Sequence, residues 1–201
     1  MTANRGQYRK TCRRYNTPGQ AHFLTFSCFR RQAFLNGDRA RRWFIDALAA
    51  ARSVHAFDLW AYVLMPEHVH LVLYPRRDEY AIGDILSDVK QPATRAALRF
   101  VRQHAPDFLV RMRDAQPNGK AAHRFWQRGG GYDRNLITPE EICEKINYLH
   151  ENPVRRGLVL RPQDWLWSSA RYYAERMDGV LKPDVESLPE IRISHGKACP
   201  R

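Results

Sequence analysis

Two strongly apolar runs, FDLWAYVLM (57–65) and HVHLVLYP (68–75), stand on either side of Pro66 and Glu67. Both are rich in aromatic and β-branched residues, and so short a link makes them neighbouring strands joined by a tight turn. Side chains alternate along a strand, so His68 and His70 share one face while Val69, Leu71 and Leu73 share the other. Valines would pack better at those two positions. Imidazoles spaced ~7 Å apart along one face can converge on a single metal ion.

Two similar patterns do not fit. A histidine-triad nucleotide hydrolase needs a third histidine where Val72 stands, and the helical HExxH of zinc proteases is absent. The pair therefore needs a partner from elsewhere in the chain.

The rest of the sequence says how the strand pair is packed. HFLTFSCFR (22–30) reads as a first strand. Residues 36–55 read as a helix, with Trp43, Phe44, Ala47, Leu48 and Ala51 at helical spacing. A long helical region over about 78–104 contains Pro92, which predicts a kink or a second helix start there. Residues 105–121 read as a loop or insertion, and 123–137 (HRFWQRGGGYDRNLI) as a short strand with a glycine hinge at Gly129–Gly131. Thr138, Pro139 and Glu141 form a helix start with a capping box. The order strand, helix, strand, strand, helix, strand, helix predicts an α+β fold: a ferredoxin-like antiparallel sheet with helices packed mainly on one face. The expected division is a basic arm (1–20), one domain (21–160) and a tail (161–201) that is partly packed, then flexible.

Charge points to the partner. The 201 residues carry a formal net charge of +12, with 33 Lys and Arg against 21 Asp and Glu. That favours an anionic partner, nucleic acid or an acidic membrane surface. Four cysteines without CxxC spacing give neither a disulfide framework nor a zinc site. No secretory h-region and no run of 18 apolar residues is visible, so a cytoplasmic protein without a membrane partner is expected. Arg9, Arg13 and Arg14 in the arm, and Lys90, Arg95, Arg99 and Arg102 on the long helical region, are the candidate nucleic-acid contacts. Tyr132 is a candidate for stacking on unpaired bases, as is Trp126, whose alternative is the core.

On the helix TPEEICEKINYLHEN (138–152), Ile142, Cys143, Ile146, Leu149 and His150 fall on one arc, and Tyr148 lies away from its centre. Asn152 shares the side of Tyr148 if the helix persists past His150, and Pro153 acts against that. YVLMPEHVHLVL, then INYLHENPVRRGLV some 80 residues on, then DWLWSSARYY, together resemble the REP-associated tyrosine transposases, members of the IS200-like single-strand transposases with a His-hydrophobic-His motif. The resemblance covers about residues 18–175.

It implies a ferredoxin-like fold, a Mg²⁺ or Mn²⁺ ion, and a tyrosine that attacks single-stranded DNA. Carried over by position, His68 and His70 would be metal ligands, Tyr148 the nucleophile and Asn152 a possible third ligand. The DNA would be a short imperfect hairpin flanked by a specific short sequence, bound by a monomer or a homodimer. Two other classes stay open: a nucleic-acid-binding regulator on the same scaffold without catalysis, and a metal-dependent hydrolase without a covalent intermediate.

Overall fold

The computed structural model describes residues 14–115, 119, 121–129 and 131–189. Its elements in chain order are β1 (Ala21–Ser27), α1 (Asp38–His55), β2 (Phe57–Leu64), β3 (His68–Pro75), α2 (Ile82–His104), α3 (Leu109–Met112), β4 (Arg113–Ala115), β5 (Ala121–His123), β6 (Tyr132–Leu136), α4 (Pro139–His150), α5 (Asn152–Arg155) and α6 (Ala170–Glu175). Strands β2, β3, β1 and β6 lie in that order in one antiparallel sheet. This is the expected ferredoxin-like α+β architecture, in which β1 and β3 are the central strands.

Alternation decides which helix meets which face. Leu24 and Phe26 of β1 and Val69, Leu71 and Leu73 of β3 join Phe44, Ile45 and Leu48 of α1 and Ile85 and Val89 of α2 in one buried cluster. Phe23 of β1 and Val72 of β3 point the other way and join Ile142, Ile146 and Leu149 of α4 and Tyr173 of α6. The two long helices thus cover one face and the shorter α4 and α6 the other. A register shift between Leu59 and Ala61 sets Trp60 and Ala61 in the second cluster together, as a bulge does.

All eight residues of β2 are buried although it is a terminal strand of the sheet. The chain beyond residue 160 explains this. Leu64 N–H donates to Trp167 O, Ser169 N–H to Tyr62 O, and Tyr62 N–H to Ser169 Oγ. Trp165 Nε1 and Tyr173 OH donate to Leu64 O and Trp60 O. The DWLWSSARYY segment therefore covers the open edge, which would otherwise expose unpaired backbone groups.

Three local expectations need correction. Helix α2 runs unbroken through Pro92: Val89, Ala93 and Ala97 bury against α1 on both sides of it, and that packing holds the helix against the ~3 kcal/mol an interior proline costs. Residues 105–121 are more than a loop, since α3 and the β4–β5 pair lie in and beside them. The glycine run ends at Gly131, whose φ is +71° and where a Cβ would collide with the carbonyl oxygen of Thr25. Glycine there permits the close approach of β6 to β1.

Candidate active site

The site begins with the β3 alternation. His68 and His70 point to the α4 side, and His70 lies across from Thr25 of β1. Their Nε2 atoms are 3.0 Å apart. Each Nδ1 has its own partner: Thr25 Oγ1 at 2.7 Å from His70 and Glu67 Oε1 at 3.2 Å from His68. Phe23 stacks against the His70 ring at 5.5 Å and fixes its plane. Burial pushes the His70 ring down to about 3, with His68 and Arg155 adding to the fall. Burial lowers His68 as well, against the opposing pull of Glu67. Both rings are therefore neutral at neutral pH, and neutral imidazole is the form that binds metal.

Tyr148 reaches the same place from the other end of the chain. The Thr138–Glu141 capping box and Pro139 start α4, and Ile142, Ile146 and Leu149 pin its inner face to the sheet. Tyr148 is left at the rim, 42% exposed. Its ring meets His70 edge-on at 5.7 Å and Phe23 at 6.0 Å. A cleft of about 540 Å³ is lined by His68, His70, Tyr148 and Asn152, with Arg31 and Lys145 supplying positive charge. Helix α4 ends at His150, yet the chain turns directly into α5 with Pro153 at its start. Asn152 stays on the side of Tyr148 and its Nδ2 donates to Tyr148 O at 2.9 Å, which leaves Oδ1 as an acceptor.

The donor set fits a divalent ion. Two nitrogens each ~2.1 Å from one ion and ~90° apart lie ~3.0 Å from one another, and that is the spacing of the two Nε2 atoms. Among the described residues no three His, Cys, Asp or Glu side chains group as ligands. Asn152 lines the same cleft and offers an amide oxygen there as a further donor.

The other candidates fall elsewhere. Arg9 and Arg13 lie outside the described residues. Arg14 pairs with Asp133, whose carboxylate also meets His22. Lys90, Arg95, Arg99 and Arg102 belong to α2, on the sheet face opposite the cleft. Lys90 Nζ sits 4.1 Å over the Phe26 ring, and Arg95 bonds Gln91. Trp126 is in the core, packed on Phe26 and Phe44, whereas Tyr132 is 51% exposed at the cleft.

Glu67, Thr25 and Arg155 are among the residues at the site that escape sequence reasoning, as are Arg31 and Lys145. Arg155 places its guanidinium 4.4 Å over the Tyr148 ring and donates to Tyr148 O. The only local signal was the Arg155–Arg156 pair in NPVRRGL; Thr25 becomes visible only once β1 is registered on β3.

Comparison with known proteins agrees with the sequence resemblance. No protein-family model matches the chain. A Haemophilus influenzae protein named "Putative REP-associated tyrosine transposase" is 26% identical over 166 residues, covering 78% of this chain and 86% of that protein. The solved structure of a REP-associated tyrosine transposase bound to a REP hairpin matches 92% of this chain and all of that one, with a TM-score of 0.63 at 21% identity. The chain is thus similar in sequence to a protein named "Putative REP-associated tyrosine transposase" and in fold to a transposase solved with a REP hairpin.

Proposed function

We propose that this protein is a metal-dependent transposase and endonuclease of single-stranded DNA, which breaks and rejoins hairpin-associated strands through a 5′-phosphotyrosine link. One observation carries the reading: a phenol and two neutral imidazoles from distant parts of the chain meet in one positively charged cleft. A hairpin as the partner is supported by the fold match to a transposase solved with a REP hairpin.

His68, His70 and Asn152 would hold Mg²⁺ or Mn²⁺, which when bound withdraws charge from a phosphodiester and orients it. The chain's own residues do the rest. The Tyr148 hydroxyl stands at the rim, where an extended strand can reach it. Its oxygen forms a bond to phosphorus, the P–O3′ bond breaks, the phenol proton passes to solvent, and the leaving 3′ oxygen takes a proton from solvent to become a hydroxyl. Arg155 over the ring stabilises the negative charge that develops on the phenol. The link conserves the phosphodiester bond energy, so a second 3′-hydroxyl can reverse the step without ATP. Tyr132 at the cleft offers a stacking surface for an unpaired base.

The test is incubation of the protein with single-stranded hairpin DNA and Mn²⁺, followed by denaturing electrophoresis. A slow band resistant to denaturation is expected, lost in Tyr148→Phe and in His70→Ala. Binding without cleavage would support a regulator, and cleavage surviving Tyr148→Phe a hydrolase; either sinks the proposal.

A further inference from the structure

We propose that Glu67 and Thr25 are positioning residues that set the tautomers of the two histidines differently: Glu67 locks His68, and Thr25 leaves His70 free to change. The lock concerns the chain alone; the change at His70 rests on the metal reading above.

Glu67 is 8% exposed. Its Oε1 lies 2.7 Å from Arg156 Nη1 and 3.2 Å from His68 Nδ1, and its backbone oxygen accepts from Cys28 N–H. The Arg156 guanidinium forms an ion pair with this carboxylate. An ionised carboxylate only accepts hydrogen bonds. His68 Nδ1 therefore carries the ring proton, and His68 Nε2 presents a lone pair to the cleft.

That lone pair faces His70 Nε2 at 3.0 Å. Two lone pairs do not share that distance without a donor between them. In the ion-free chain, then, His70 carries its proton on Nε2 and donates it to His68 Nε2. His70 Nδ1 is bare and accepts from the Thr25 hydroxyl at 2.7 Å. A cation that takes both Nε2 lone pairs reverses His70 only: the proton leaves Nε2, one is taken up at Nδ1, and Thr25 Oγ1 now accepts it. The ring stays neutral and no net proton is released. A hydroxyl can donate or accept, so Thr25 serves both states. A carboxylate at position 25 would force Nδ1–H on both rings and set two lone pairs against each other whenever the ion is absent.

The experiment is long-range ¹H–¹⁵N correlation of the histidine rings in the full ¹⁵N-labelled chain. Without divalent ions at pH 7.5, His68 is expected protonated on Nδ1 and His70 on Nε2. Zn²⁺, as a diamagnetic probe, should move the His70 proton to Nδ1 and leave His68 unchanged. Mn²⁺ affinity, read by electron paramagnetic resonance, should fall ~10–100-fold in Glu67→Ala and in Thr25→Val and recover in Thr25→Ser. An Nε2-protonated His68 in the ion-free chain overturns the lock. No change at either ring with Zn²⁺ overturns the change at His70 together with the metal reading. Zn²⁺ binding with unchanged Mn²⁺ affinity in Thr25→Val overturns the role of Thr25 alone.

Discussion

His68, His70 and His150 are all shielded from water, yet only the first two open onto a cleft. His150 is 5% exposed, bonded to Ser169 Oγ at 2.8 Å and packed on Tyr173. Burial drives its ring from 6.5 down to about 3. Because the folded value is the lower one, the unfolded chain binds more protons in acid. The stability is intact above pH 6.5 and is lost as pH falls toward 3. Unfolding free energies measured between pH 7 and 4 should decline more steeply in the wild type than in His150→Gln, by up to ~1.4 kcal/mol per pH unit. Arg155 gives a second prediction. Arg155→Ala should slow adduct formation on hairpin DNA ~100–1,000-fold, a loss of the size seen when one charge-stabilising donor is removed, with a smaller change in DNA affinity, as single-turnover rates and filter binding would show. Strand alternation set His68 and His70 on one face and helical phase set Tyr148 off the buried arc of its helix, while their roles were implied only by the family resemblance. Glu67 and Arg155 were not legible in the sequence: Glu67 meets Arg156 across 89 residues of chain, and Arg155 reaches back over Tyr148 only because the chain turns from α4 into α5.

Strand β6 joins the sheet only where its backbone can approach β1. Gly131→Ala places a methyl against the Thr25 carbonyl and strains a residue at φ +71°, so a loss of ~2 kcal/mol or more is expected in urea unfolding. At Gly83, near the start of α2, an added methyl would meet nothing within 4 Å, and Gly83→Ala should stabilise by ~0.5–1 kcal/mol in the same assay. A loss no larger at Gly131 than at Gly83 would contradict the packing account. The β2–β3 pair and the capping box of α4 could be read from local pattern. Pro92 could not, because its tolerance comes from the α1 packing on either side. The full burial of β2 was equally hidden, because its cover arrives from residues 165–173.

Among the described residues, basic side chains stand on both faces of the sheet. Arg31 and Lys145 line the cleft, while Arg95, Arg99 and Arg102 stand exposed on α2 behind it. Each phosphate contact on a single strand contributes ~0.7 to the slope of log affinity against log salt. Replacing Arg31 and Lys145 by alanine should lower that slope by ~1.4 for hairpin DNA, whereas replacing the three α2 arginines should leave it near the wild-type value. Among the described residues no helix is long and apolar enough to cross a membrane. The account as a whole depends on Tyr148 and the His68–His70 pair acting on one phosphodiester. Mass spectrometry of the adduct formed with hairpin DNA and Mn²⁺ tests it most directly. The account predicts a nucleotide joined through its 5′-phosphate to the peptide containing Tyr148, and none formed by His68→Ala. A nucleotide on any other residue, or cleaved DNA bearing free 5′-phosphates with no adduct, would contradict it.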